Sequence, residues 1–336
     1  MNKKHFSRVW IGLAAILATA VGCSSETVLE DLAGVHAEGP VFLGARAVSA
    51  TRVEFSFNKE VAVQALRLDS GVAAETLEHG AVAAAIFSQA LPEGQRLIAD
   101  LLVEDAQGNT LTVLTPFTAR NDRMPRLRIT EVRTEYSKPK VELVEFRTET
   151  AGQVGALRLV SSERGLEDPL FTFPPAELAA GEYVVLHLRT LDPASLDETG
   201  TDLSLSVGTE AGPARDFWRP GAEKLVRKTD ALALLDQDGR ALDAVLLSET
   251  ADAAWTKDTL SRAATVFEEG LFWKKETGET GPLLPADAAD SRGTTATRTI
   301  CRDEAVADSD TRADWYVTVT GGATPGAPNR TDRYVP

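Results

Sequence analysis

Val53, Phe55 and Phe57 alternate with Glu54 and Ser56, so an extended chain through residues 52–58 carries apolar side chains on one face and polar ones on the other. A half-buried β-strand is predicted there. Short apolar runs of the same kind occur at 61–68, 81–87, 96–103 and 110–117, and Asp105-Ala106-Gln107-Gly108-Asn109 supplies turn-forming residues between the last two. After a polar interruption at 118–125 a second series follows at 127–132, 141–146, 156–160, 170–173, 183–188 and 231–247. The last of these is split into a hairpin by Asp236-Gln237-Asp238-Gly239. One segment departs from the strand pattern. Trp255, Thr259, Ala263 and Val266 recur at intervals of three or four, which predicts a helix within 251–273, stopped near Gly270, with Trp255 and Phe267 as core residues. Such a helix is expected to cover an open edge or end of a sheet. The chain therefore reads as all-β, in two strand-rich units, with one α-helix inserted in the second.

The amino-terminal segment follows neither pattern. Lys3, Lys4 and Arg8 precede an apolar stretch at 9–21 that is too short for an ordinary spanning helix, as in a secretory leader. Ala20-Val21-Gly22-Cys23 resembles the bacterial lipobox, with Ala20 and Val21 departing from its commonest residues. That resemblance implies a signal peptide over 1–22, acylation (palmitate) of Cys23, and attachment to a membrane of the bacterial cell envelope, the outer membrane rather than the inner. Residues 23–39 are expected to form a polar tether.

Two further resemblances concern the folded units. Phe55-Ser56-Phe57-Asn58-Lys59-Glu60-Val61, Leu91-Pro92-Glu93-Gly94 and Val103-Glu104-Asp105-Ala106-Gln107-Gly108-Asn109 are similar to bacterial immunoglobulin-like modules of envelope proteins, over about 40–122. The second unit opens with Ile129-Thr130-Glu131-Val132 and Lys140-Val141-Glu142-Leu143. It continues through Gly181-Glu182-Tyr183-Val184-Val185-Leu186, Leu232-Ala233-Leu234-Leu235 and Leu242-Asp243-Ala244-Val245 to Asp314-Trp315 and Pro325-Gly326-Ala327-Pro328-Asn329. In this order the pieces resemble the lamin-tail domain, over 127–330, with the helical segment near 251–273 as an insertion. Both resemblances imply immunoglobulin-like β-sandwiches and a structural or interaction role.

Charge and composition narrow the partners. Fifty acids against 35 bases give a net charge of -15, which disfavours nucleic acid as a ligand. With Cys23 acylated, Cys301 has no partner for a disulfide and is expected to be a small buried residue. Asp303, Glu304, Asp308, Asp310 and Asp314 are closely spaced carboxylates of the kind a hard cation requires, and Asp308, Asp310 and Asp314 are the candidate ligands. Counted from Asp308, however, Arg312, Ala313 and Val319 break the EF-hand pattern, so a solvated loop is the plainer expectation.

His36, His79 and His187 share no zinc-ligand spacing, and His187 is expected to be a hydrogen-bonded sheet residue. Arg120, Arg123, Arg126 and Arg128 cluster between the units and are expected to pair with nearby acids rather than hold an anion. Motifs for a nucleophilic serine, a zinc protease or a phosphate loop are missing, so no catalytic residue and no cofactor is assigned. The expectation is a non-enzymatic, membrane-anchored lipoprotein that binds a protein or envelope polymer. The alternative is an envelope hydrolase or an accessory module of one, built on two carboxylates brought together by folding.

Overall fold

The computed structural model describes residues 38–208, 210, 212 and 214–335. The expected leader, Cys23, His36 and the expected tether up to residue 37 lie outside the described residues. The chain is all-β, with one α-helix among the described residues.

The first seven strands are β1 (Phe42–Ser49), β2 (Arg52–Phe57), β3 (Ala62–Leu68), β4 (Thr76–Glu78), β5 (Val82–Ile86), β6 (Arg96–Glu104) and β7 (Thr110–Thr118). They form an antiparallel sheet β1-β2-β5-β4 and a second antiparallel sheet β3-β6-β7. The alternation in β2 places Val53, Phe55 and Phe57 in a core that also receives Leu97, Leu101 and Val103 from β6, so the two sheets share one apolar interior. Asp105 organises the β6–β7 turn as the sequence predicts. Its Oδ1 accepts hydrogen bonds from Gln107 N at 3.0 Å and Asn109 N at 2.9 Å, while Gly108 takes the positive φ that such a turn requires.

The second strand set contains β8 (Arg126–Arg133), β9 (Leu143–Thr150), β10 (Gly152–Gln153), β11 (Arg158–Ser161), β12 (Phe171–Thr172), β13 (Glu177–Leu178), β14 (Tyr183–His187) and β15 (Arg215–Trp218). It continues with β16 (Asp230–Leu235), β17 (Ala241–Ser248), β18 (Ala289–Asp290), β19 (Ile300–Arg302) and β20 (Trp315–Val317). A six-stranded sheet runs β15-β14-β9-β8-β19-β20 and a five-stranded sheet β12-β11-β16-β17-β18, with β10 and β13 paired separately. Ile129, Phe146, Leu186 and Phe217 from the first sheet meet Leu159, Leu232, Leu234 and Val245 from the second in one core. Edge-to-face contacts of Phe173 with Phe146, Phe171 and Phe217, at centroid separations of 5.7, 5.1 and 5.3 Å, pack its centre.

The β8 segment differs from its sequence reading. From Ile129 onward it is buried on both faces, Thr130, Glu131 and Arg133 included, because later chain covers the side that alternation assigns to solvent.

The inserted helix, α1, spans Asp258–Glu269 and ends at Gly270 as predicted, but its buried face is displaced from the expected one. Leu260, Ala263, Ala264 and Phe267 face the core, whereas Val266 is 45% exposed and Trp255 precedes the helix, only partly buried. The two candidate stripes share Ala263, and the one with Leu260 and Phe267 buries more apolar surface.

The polar interruption between the strand sets is not an exposed linker. Asn121 is fully buried, donating from Nδ2 to the carbonyls of Gln153 at 2.6 Å and Gly155 at 2.9 Å, while its own N–H donates to Gln237 Oε1 at 2.8 Å. Gly94 lies so close to Gly155 that a Cβ at position 94 would stand 2.6 Å from the Gly155 carbonyl carbon. The turn residues Gln237 and Asp238 thus serve this junction as well as their hairpin, Asp238 accepting from Arg120 at 2.9 Å.

Phe267→Ala is expected to lower unfolding free energy by about 3–5 kcal/mol through the cavity it leaves. Val266→Ala should change it by less than about 0.5 kcal/mol. Urea denaturation of both variants checks the assigned face.

Candidate functional site

Four of the residues singled out in the sequence, Arg126, Arg128, Asp308 and Asp310, line one groove of about 590 Å³. Strand β8 supplies the two arginines, whose spacing of two puts them on the same side of the strand. Glu149 arrives from β9, Asp243 from β17, and Asp308 and Asp310 from the loop between β19 and β20. Leu271, 67% exposed, and the partly buried Phe272 add apolar surface at its rim.

Two of the lining acids, Asp243 and Asp308, are held by Arg302, buried at the end of β19. Its Nη2 donates to both Asp243 oxygens at 2.9 Å, its Nε donates to Ile129 O at 2.8 Å, and its Nη1 stands 2.5 Å from Asp308 Oδ1. The guanidinium also lies over the Trp315 ring, 4.7 Å from its centroid. Outward, Arg128 pairs with Asp308 at 3.4 Å and with Glu149, which also holds Arg126 at 3.0 Å. Burial pushes the Asp243 carboxyl up to about 6 against the pull of Arg302 and the Ile129 N–H. Burial also acts upward on Asp308, but Arg302, the Asp310 N–H and Arg128 outweigh it and hold its carboxyl below the ordinary range. One raised and one depressed carboxyl is an arrangement that acid–base chemistry can use. Here, however, the oxygens of both are already engaged by arginines and backbone N–H groups.

The proposed cation ligands do not converge. Asp308 holds Arg302 and Arg128, Asp310 pairs with Lys274 at 3.0 Å, and Asp314 accepts from Ser309 and from Thr311 N. Among the described residues, no group of three or more His, Cys, Asp or Glu side chains is arranged to hold a metal. Arg120 and Arg123 also pair with acids, Arg120 with Asp122 and Asp238, and Arg123 with Glu93 and Glu177. His187 is a buried sheet residue, 2.7 Å from Asp216 Oδ1 and stacked on Trp218 at 3.9 Å. Cys301 is buried and free, its thiol pushed up by burial and by Glu131.

Sequence reading missed a pair of buried acids on β8 and β9. Glu131 and Glu145 are both fully buried on neighbouring strands, opposite each other in the β8–β9 register. The Pro325-Gly326 turn sits over them. Glu145 accepts from Gly326 N at 2.5 Å and Thr130 Oγ1 at 2.6 Å, and Glu131 Oε2 accepts from Thr324 N at 3.1 Å, while Glu131 Oε1 has no hydrogen-bond partner. Asn329 completes the seal by donating to the carbonyls of Thr130 and Arg302. Burial pushes both carboxyls up, and for Glu145 the neighbouring Glu131 adds to the shift. Their place in Ile129-Thr130-Glu131-Val132 and Val144-Glu145-Phe146 is the only sequence signal for them, since acids at strand positions ordinarily face water.

The family described as TP_1001_2nd, protein second domain, matches residues 125–317. The chain belongs to this family. The matched stretch runs from just before β8 to the end of β20, and so takes in the groove, both larger sheets of the second strand set and α1. An uncharacterized protein of Treponema pallidum (strain Nichols) is similar over 168 residues at 31% identity, a stretch covering 49% of this chain and 42% of the relative. The chain thus spans less than half the length of that relative.

Two outcomes test these charge assignments. Arg302→Met should destabilise the fold by about 3–5 kcal/mol, because it strands Asp243 in the interior, and denaturant unfolding measures this. A carboxyl raised on folding favours the native state below its unfolded pKa and loses that contribution as pH rises through its folded pKa. The melting temperature should therefore carry a component that falls as pH rises beyond the ordinary glutamate range. Glu145→Gln, which keeps an acceptor for Gly326, should reduce that component in thermal scans across pH.

Proposed function

We propose that the protein is a lipid-anchored component of the bacterial cell envelope with a structural or partner-binding role. In this reading residues 1–22 are a signal peptide, acylated Cys23 is the membrane anchor, and 23–39 form a tether. Residues 40–122 are then an immunoglobulin-like domain and 127–330 a lamin-tail-like domain with its helical insertion. The leader and the Ala20-Val21-Gly22-Cys23 pattern support the anchor. Among the described residues no helix is long and apolar enough to cross a membrane.

The observation that carries the binding role over hydrolysis is the neutralisation within the groove. Asp243, Asp308, Asp310 and Glu149 each face a cation. A general acid must present a proton to the substrate, and a nucleophile or base must present a free lone pair. Carboxylates already committed to arginine or lysine instead make a preorganised surface of mixed charge, which suits recognition of a polar protein or envelope polymer.

Cys23→Ser should move the exported protein from the detergent phase to the aqueous phase in phase partitioning. Retention in the detergent phase would place the anchor elsewhere. Purified protein is expected to release no reducing ends from envelope glycan, and turnover abolished by Asp308→Asn would overturn the binding role in favour of hydrolysis.

A further inference from the structure

A second cavity, of about 440 Å³, lies at the amino end of α1, and its charge is opposite to that of the chain as a whole. Lys224, Arg227, Lys228 and Lys257 line it, against Glu135 and Glu249 as the lining acids. Lys224 pairs with Glu135 at 2.8 Å and Lys228 more loosely with Glu249 at 3.4 Å. Arg227 and Lys257 share a single carboxylate, that of Glu163, at 3.3 and 2.5 Å. Four cations thus stand against three acids, and Arg227 and Lys257 remain 48% and 53% exposed.

Two other features suit the cavity to an anion attached to a ring. The N-cap of α1 is Lys257, whose side chain makes no capping hydrogen bond; Asp258 in the first turn offsets part of the positive helix end, and the remainder adds to the lysines and arginine. Trp255, also in the lining, is fixed by the hydrogen bond from its Nε1 to Leu283 O at 2.8 Å. Its polar edge is thereby satisfied, which leaves the ring as an apolar wall for a ligand.

We propose that this cavity binds a sugar phosphate, with the phosphate monoester among Arg227, Lys257, Lys228 and the helix end, and the sugar ring against Trp255. A monoester carries close to two negative charges near neutral pH, which favours it over a single carboxylate where several cations and a helix terminus converge. Arginine adds a planar fork that fits phosphate oxygens, and Arg227 is already only half covered. The proposal rests on the partner-binding reading above and narrows the partner to a phosphorylated glycan. It is independent of the lipid anchor.

Equilibrium dialysis of the full chain in detergent against labelled glucose 6-phosphate, inorganic phosphate and glucose tests it. Glucose 6-phosphate should bind saturably and at least tenfold more tightly than either of the others. The double substitution Arg227→Gln/Lys257→Gln should weaken it at least tenfold, and Trp255→Phe should be the milder change. Arg96→Gln, a surface substitution in the first strand set, should leave binding unchanged, and melting temperatures near that of the unsubstituted chain establish that the variants are folded. Equal binding of glucose and glucose 6-phosphate, absence of saturable binding, or full affinity in the folded double variant would each overturn the proposal. Loss of membrane attachment in Cys23→Ser with sugar-phosphate binding intact would separate this site from the anchor.

Discussion

A guanidinium cannot be taken out of water without its charge and its N–H groups being answered where it lies, and Arg302 is buried at the contact between the two larger sheets of the second strand set. Its partners come from both. Ile129 belongs to the six-stranded sheet that also contains Arg302, and Asp243 belongs to the five-stranded sheet opposite. The apolar core between the sheets supplies most of the favourable energy of closure, but it does so with little directional preference. The arginine fork adds direction, because its bonds to Asp243 form only when β17 and β19 are aligned. That alignment also fixes Asp308 and, through it, Arg128, so the groove takes its shape from the same charge that joins the sheets.

The junction between the two strand sets follows a different logic, in which close approach is permitted rather than attracted. Gly94 and Gly155 meet backbone to backbone, and the buried Asn121 amide donates to the carbonyls of both Gln153 and Gly155. A side chain at position 94 would both clash and be strained, since its φ is +68°. The polar character of 118–125, which in isolation resembles a linker, is therefore the chemistry of a hydrogen-bonded joint.

Much of the architecture is legible in the chain because it depends on local periodicity. Val53, Phe55 and Phe57 announce β2, and Asp236 and Gly239 announce the turn between β16 and β17. What escapes is set by distant chain. Asp243 looks like one acid among many until folding brings Arg302 to it from 59 residues away. The helical stripe is misread by one position because Ala263 belongs to two overlapping periods, and only the neighbouring sheet selects between them. Of the candidate site, Arg126, Arg128, Asp308 and Asp310 are visible as charged clusters, but their convergence on one groove is not. The acid pair Glu131 and Glu145 is hidden more deeply, since strand alternation carries no sign that a later segment will cover the outer face.

That covering segment gives the second strand set a particular order of completion. Thr324 lies 193 residues beyond Glu131, and Gly326 lies 181 beyond Glu145. A chain emerging amino end first exposes β8 and β9 long before the turn that seals their acids has been synthesised. The first strand set contains all of its own sheet partners and can close at once. The second must wait with two carboxyls open to water, and these remain hydrated until residues 324–329 arrive. Closure of this set thus includes the dehydration of an acid pair, which depends on residues 324–329 being in place.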